Sequence, residues 1–95
     1  MFLVGKKILE DFKERHSDAI SSIDSWRAEI KEATWQNPHD LKLRYPKASI
    51  IGSQKVVFNL CGNKYRLFVI VSYKNQVIMV KKIGTHSEYD KWDLN

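Results

Sequence analysis

The residues of this chain whose types could do chemistry gather late in the sequence. Gly84-Thr85-His86-Ser87-Glu88-Tyr89-Asp90 sets an imidazole, a phenol and two carboxylates directly behind the apolar run VIMVKKI. Chain ends more often hold unremarkable polar residues. Upstream, residues 49–84 carry Lys55, Lys64, Arg66, Lys74, Lys81 and Lys82 with no Asp or Glu. A basic block free of acids suits a polyanion or an acidic partner. Guanidinium, ammonium, amide, imidazole and phenol groups, without a paired carboxylate or a Cys/His cluster, fit phosphate chemistry that needs no metal. RNA brings its own nucleophile, the 2′-OH. Its cleavage requires a base for that proton, an acid for the leaving 5′-oxygen, and cations on the developing phosphorane charge. Arg offers a planar fork to phosphate oxygens. Histidine side chains in general titrate near neutrality and serve either proton role. Tyr donates a proton, binds phosphate or stacks on a base.

These groups work only if strands and helices bring them together. Phe2-Leu3-Val4 reads as a short strand ending at Gly5. Ile8, Leu9 and Phe12 mark a helix from Lys6 to about Arg15. Ser17-Asp18 reads as an N-cap with an acid in the first turn. Ala19, Ile20, Ile23, Trp26, Ile30 and Ala33 then follow at steps of three and four, predicting a second helix to about Thr34. Trp26 belongs to the core on this spacing. Gln36-Asn37-Pro38-His39-Asp40 breaks the pattern, with His39 in solvent. Asp40 to Arg44 allows one helical turn, and Tyr45-Pro46 forces extension. Gln54–Cys61, Lys64–Tyr73 and Val77–Ile83 read as three strands. The expected fold is α+β: β-α-α-β-β-β, with two N-terminal helices on one face of a small, mainly antiparallel sheet.

Gly62-Asn63 is a strong two-residue hairpin signal. It pairs Leu60 with Tyr65, Asn59 with Arg66, Phe58 with Leu67 and Val57 with Phe68. Alternation then puts Val56, Phe58, Leu60, Tyr65, Leu67, Val69 and Val71 on one apolar face, to be buried by the helices. The other face carries Lys55, Val57, Asn59, Cys61, Lys64, Arg66, Phe68 and Ile70. A second turn at Lys74-Asn75 sets Lys81 opposite Phe68 and Ile83 opposite Arg66, adding Met79 and Lys81 to that face. The expectation is a basic patch of Lys55, Asn59, Lys64, Arg66 and Lys81 around Phe68, with His86 and Tyr89 folding over its edge. A register slip of one residue would scatter it. Glu88 and Asp90 would repel RNA, so they are expected to face outward or hold the tail in place. Each group also has a structural reading. Arg66 can pair across strands, the lysines can attract RNA non-specifically, Asn59 can satisfy backbone groups, and Tyr89 can pack its ring.

Length and composition bound the rest. The 95 residues make one domain, 1–95, with 43% apolar and 28% charged residues, a net charge of +5 and no repeat. The lone Cys61 forms no intramolecular disulfide and reads as a small strand residue of a reducing compartment. No apolar stretch reaches the ~20 residues of a membrane span, and MFLVGKKILEDF is too short an apolar core for a signal peptide. A cytoplasmic protein with no cofactor and no membrane partner is the expectation.

Four segments, WRAEIKEATW (26–35), DLKLRYPKASIIG (40–52), VVFNLCGNKYRL (56–67) and GTHSEYDKWD (84–93), resemble the HigB-type toxins of bacterial toxin–antitoxin pairs, which are RelE-like. The resemblance spans nearly the whole chain, and its specific parts are the FN-x-x-GN-x-YRL and GTH-x-EYD blocks. Relatives often read HPDA where this chain has His16-Ser17-Asp18-Ala19. The resemblance implies an mRNA interferase, an endoribonuclease acting on mRNA at the translating ribosome. It also implies a cognate HigA-like helix-turn-helix antitoxin that neutralises the toxin and through which the pair binds operator DNA. Carried onto this sequence, Arg66 would stabilise phosphate in the transition state, with His86 and Tyr89 as general acid and base. Lys55, Asn59, Asn63, Lys64, Lys81 and Lys82 would position mRNA or ribosomal RNA. The competing readings are a non-catalytic RNA-binding module using the same basic face, and a domain that docks an acidic protein.

Overall fold

Two hairpins organise the molecule; the register of the first follows from the sequence residue for residue, and that of the second from its turn as far as Val69. The computed structural model describes residues 1–94. Its elements are β1 (Phe2–Val4), α1 (Lys6–Arg15), a 3-10 turn (Ser17–Ala19), α2 (Ile20–Glu32), α3 (Pro38–Arg44), β2 (Ser49–Ile51), β3 (Lys55–Leu60), β4 (Tyr65–Ser72), β5 (Val77–Thr85) and α4 (His86–Tyr89). They form an α+β domain around a five-stranded sheet of order β1-β5-β4-β3-β2, in which only β1–β5 is parallel.

β3 and β4 pair as the Gly62-Asn63 turn requires, Asn59 with Arg66 and Val57 with Phe68. The apolar face, Val56 to Val71, is buried beneath α1 and α2 with Leu9, Phe12, Ile23, Trp26 and Ile30. The period of two in the strands and of about 3.6 in the helices makes this core. Trp26 meets Phe58 edge to face, 5.5 Å between ring centres.

Two elements, β2 and α4, were not anticipated, and α3 is longer than expected. β2 is three residues long, too short to show alternation. α3 begins at Pro38 and not at Asp40: Asn37 accepts from the Asp40 N–H at 2.9 Å, and proline suits the first helical position. α4 is a single turn after the last strand.

The expected register of β5 needs correction. Ser72 to Val69 pair with Val77 to Val80 as predicted, but a bulge between Phe68 and Val69 inserts one residue. Lys82 therefore lies opposite Phe68, and Gly84 opposite Arg66. Lys81 is the extra residue. Ile83 turns to the helix side, where it packs against the core. Lys64 and Cys61 also leave the expected basic face. Lys64 pairs with Asp18, and the Cys61 Sγ lies 3.3 Å from Ser22 Oγ and from the Asp18 carbonyl oxygen. Asp18 is not part of a Ser17 cap. Its carboxylate takes the Tyr65 hydroxyl at 2.6 Å, pinning the 3-10 turn to the hairpin. Lys64 first, then Tyr65, holds the Asp18 carboxyl below its ordinary value.

Gly5 joins β1 to α1 at φ 92°, in the left-handed region. A Cβ there would sit 2.8 Å from the Val80 carbonyl oxygen, which is backbone in a central position of β5 and cannot retreat. Left-handed strain of roughly 1–2 kcal/mol joins an overlap of roughly 1–3 kcal/mol. Gly5→Ala is therefore expected to cost about 2–5 kcal/mol in urea unfolding, and Lys6→Ala, one residue on and exposed, under about 0.5 kcal/mol.

Candidate functional site

The face opposite the helices is where the predicted residues meet, and the end of the chain is what organises them. Val57 and Phe68 lie on this face, outside the helix-side core, yet are 1% and 7% exposed. The segment after β5 crosses here. A Cβ on Gly84 would lie 3.0 Å from the Trp92 ring, so the indole sits directly on the strand. Lys55 Nζ donates to the Leu94 carbonyl oxygen at 2.9 Å.

α4 makes this turn possible. Thr85 caps it, its hydroxyl accepting from the Glu88 N–H at 3.2 Å while the Glu88 carboxylate accepts from the Thr85 N–H at 2.9 Å. This reciprocal pair is a capping box. Glu88 thus holds the tail, one of the two roles expected for it. The Thr85 N–H is the main cause of a Glu88 carboxyl held below its ordinary value; slight burial opposes it. A depressed carboxyl pKa stabilises the fold above the ordinary value near 4.5, and that stabilisation is lost as pH falls through the folded value. Amide exchange at Asp90, Lys91 and Trp92, whose N–H groups close α4, is therefore expected to accelerate relative to the intrinsic rate at each pH below about pH 4.5. Thr85→Val should accelerate it about fivefold at neutral pH, the equivalent of the ~1 kcal/mol an N-cap contributes.

Within this frame Arg66 is held from two sides. Its guanidinium donates to the Asn63 carbonyl oxygen at 2.7 Å and lies over the Tyr89 ring, 5.5 Å from its centre. Tyr89 meets Trp92 edge to face at 5.7 Å, and Lys82 Nζ lies 5.8 Å from the Trp92 ring centre. Cation and aromatic ring thus alternate across the face: Arg66, Tyr89, Trp92, Lys82. Cation–π contacts are worth about 0.5–1 kcal/mol each when exposed, so the ladder fixes geometry more than it adds stability.

His86 and Tyr89 are three residues apart on α4 and share its side. The His86 N–H donates to the Lys64 carbonyl oxygen at 3.1 Å, which anchors α4 beside the start of β4. Its Nδ1 lies 3.3 Å from Asp90 Oδ2, and the side chain is otherwise open to solvent. Asp90 thus sets a carboxylate beside Nδ1 of the imidazole and leaves Nε2 on the far side of the ring.

The structure brings Arg66, His86, Tyr89, Lys82, Asn59 and Asn63 into one neighbourhood. Lys55 is on the face with its ammonium on the tail carbonyl. Lys81 is on the bulge, with its ammonium 3.8 Å from Met79 Sδ. Lys64 is on the helix side with Asp18. Among the described residues no three His, Cys, Asp or Glu side chains gather as a metal would require, and no helix is long and apolar enough to cross a membrane. Trp92 is the residue that sequence reasoning missed. Its signal was present: an aromatic three residues after Tyr89, in a segment rich in charge.

Comparison with known proteins gives the family. Residues 19–92 match the family model of the HigB toxins, described as the RelE-like toxic component of a toxin–antitoxin system. The mRNA interferase toxin HigB of Escherichia coli K12 is 26% identical over 92 residues, covering 95% of this chain and 88% of that protein. An mRNA interferase HigB of Shigella flexneri matches equally, and that of Escherichia coli O6:H1 is 24% identical over 93 residues, covering 96% and 90%. With the family model spanning most of the chain, including the Arg66 strand and the α4 turn, this protein belongs to the HigB toxin family.

Proposed function

We propose that this protein is an mRNA interferase toxin, cleaving mRNA on the translating ribosome by way of the RNA's own 2′-OH. The observation that carries the reading is the fixed Arg66 guanidinium with His86 and Tyr89 on the adjoining helical turn. A phosphate seated on Arg66 would have its scissile P–O5′ bond within the reach of α4. One group removes the 2′-OH proton, the 2′-oxygen attacks phosphorus, and the P–O5′ bond breaks. The leaving 5′-oxygen takes a proton from a second group. The products are a 2′,3′-cyclic phosphate and a 5′-OH. His86 and Tyr89 share the two proton roles, and Arg66 stabilises the pentacovalent charge. Lys82, with Asn63 and the exposed Lys64 and Lys81, supplies sequence-independent attraction to RNA. Neutralisation falls to a cognate antitoxin of the HigA-like helix-turn-helix type, through which the pair would reach operator DNA.

The test is induced expression in bacteria, following growth and the integrity of a translated mRNA. Growth arrest, with cuts ending in 2′,3′-cyclic phosphate, is the expected result. Unimpaired growth with intact translated mRNA would overturn the reading. RNA binding without cuts would leave the non-catalytic module in its place.

A further inference from the structure

Beyond Val57, the edge of β3 away from β4 is covered by no strand of the described residues. Pairing with β2 ends at Ser49–Val57, so on that side Asn59 has no strand of the described residues opposite. The Val71 N–H donates to the Gln54 carbonyl oxygen at 2.8 Å, and the His86 N–H to that of Lys64. By the alternation of an antiparallel ladder, the main-chain groups of Lys55, Val57 and Asn59 therefore face β2, away from β4. Asn59 thus turns one N–H and one C=O toward the space β2 leaves empty. Its side-chain amide, half-buried, has no hydrogen-bond partner among the described residues.

That space is a cleft of about 380 Å³ between the α3–β2 loop and the β3–β4 turn, lined by Tyr45, Pro46, Lys47, Asn59, Gly62 and Asn63 among others. Asn59 and Tyr45 also line a second, adjoining cleft of about 250 Å³. Trp26 borders it, only 2% exposed, with an indole N–H that has no partner among the described residues. Buried donors are nearly always satisfied, so unpaired ones invite a ligand. Lys47 is exposed and charged at the cleft mouth. Asn59 is the cross-strand neighbour of Arg66, and Asn63, whose carbonyl holds Arg66, lines the same cleft.

We propose that this cleft is a nucleobase subsite, which reads one unpaired base next to the phosphate held by Arg66. It rests on the nuclease reading above and deepens it. A base edge presents donors and acceptors side by side, which the Asn59 amide and main chain match in kind. Lys47 meets the flanking phosphate.

Cleavage sites mapped by sequencing RNA 5′ ends in expressing cells test this. Asn59→Ala is expected to slow cutting at the preferred base far more than at the others, so that preference at one position beside the cut falls by about 5- to 100-fold, the discrimination that a good bidentate contact provides. Lys47→Ala should reduce cutting at every site alike. Asn59→Ser, a smaller polar change, repeats the test if the alanine variant does not fold. An unchanged base preference in a folded Asn59 variant would overturn the proposal. If wild type cuts nothing, the nuclease reading fails by itself. Binding of the homopolymeric tetranucleotides rA4, rC4, rG4 and rU4 then decides the subsite. Discrimination lost with Asn59 supports it, and ratios equal to wild type overturn it.

Discussion

His86→Ala is expected to lower the rate of mRNA cleavage by about 10²–10⁴, the usual contribution of a positioned general acid or base. The protein should remain folded, because the side chain is exposed and its anchoring bond to Lys64 comes from the main chain. Cells expressing the variant should grow at nearly the uninduced rate, and primer extension on a translated mRNA should show the loss directly. Asp90→Asn keeps the shape and removes the charge that faces Nδ1, so it should lower activity by less than His86→Ala does. A His86→Ala protein that arrests growth as well as wild type would remove the imidazole from the mechanism and leave the proton work to Tyr89.

Arg66→Ala is expected to reduce cleavage by about 10²–10³, the loss typical of removing one preorganised donor from a developing negative charge. Lysine should restore only part of it. A point charge on a flexible stem cannot donate as a planar fork, and it stacks less well over the Tyr89 ring. Arg66→Ala also removes the first rung of the cation–aromatic ladder, so amide exchange in α4 should rise modestly, while the helix-side core is untouched. The distinguishing measurement is the salt dependence of ribosome or RNA binding. If Arg66 merely attracts RNA, the variant should lose affinity with a slope shallower by about one counterion and cut normally when saturated. If Arg66 stabilises the transition state, cutting stays slow at saturation.

Much of this molecule is written in local pattern. The helix α1, the core side of α2, the β3–β4 register and the division of the hairpin into two faces follow from spacing and from Gly62-Asn63, because a period-two strand buried on one face tolerates no slip. Arg66, His86 and Tyr89 were legible as candidates for the same reason: a register that fixes Arg66 on the open face and a turn that must begin where β5 ends. The elements that escaped, β2 and the single turn α4, are too short for periodicity to register.

Distant contacts decided the rest. The bulge at Phe68/Val69 moved Lys82 into the place expected for Lys81, and no local signal marks an inserted residue in VIMVKKIG. Asp18 drew Lys64 to the helix side across 46 residues of sequence. The sequence by itself determined the fold class, the apolar face and the identity of the chemical groups, since each depends on near neighbours and on burial. Only the tertiary structure decided how those groups are held. Arg66 lies between a turn carbonyl and the Tyr89 ring, His86 turns toward Asp90, and Trp92 seals the strand because the capping box of Thr85 and Glu88 bends the chain back over the sheet. GTHSEYD is a bend in the chain as well as a set of candidate proton carriers: Glu88 closes the capping box with Thr85, and Asp90 stands 3.3 Å from the His86 ring nitrogen.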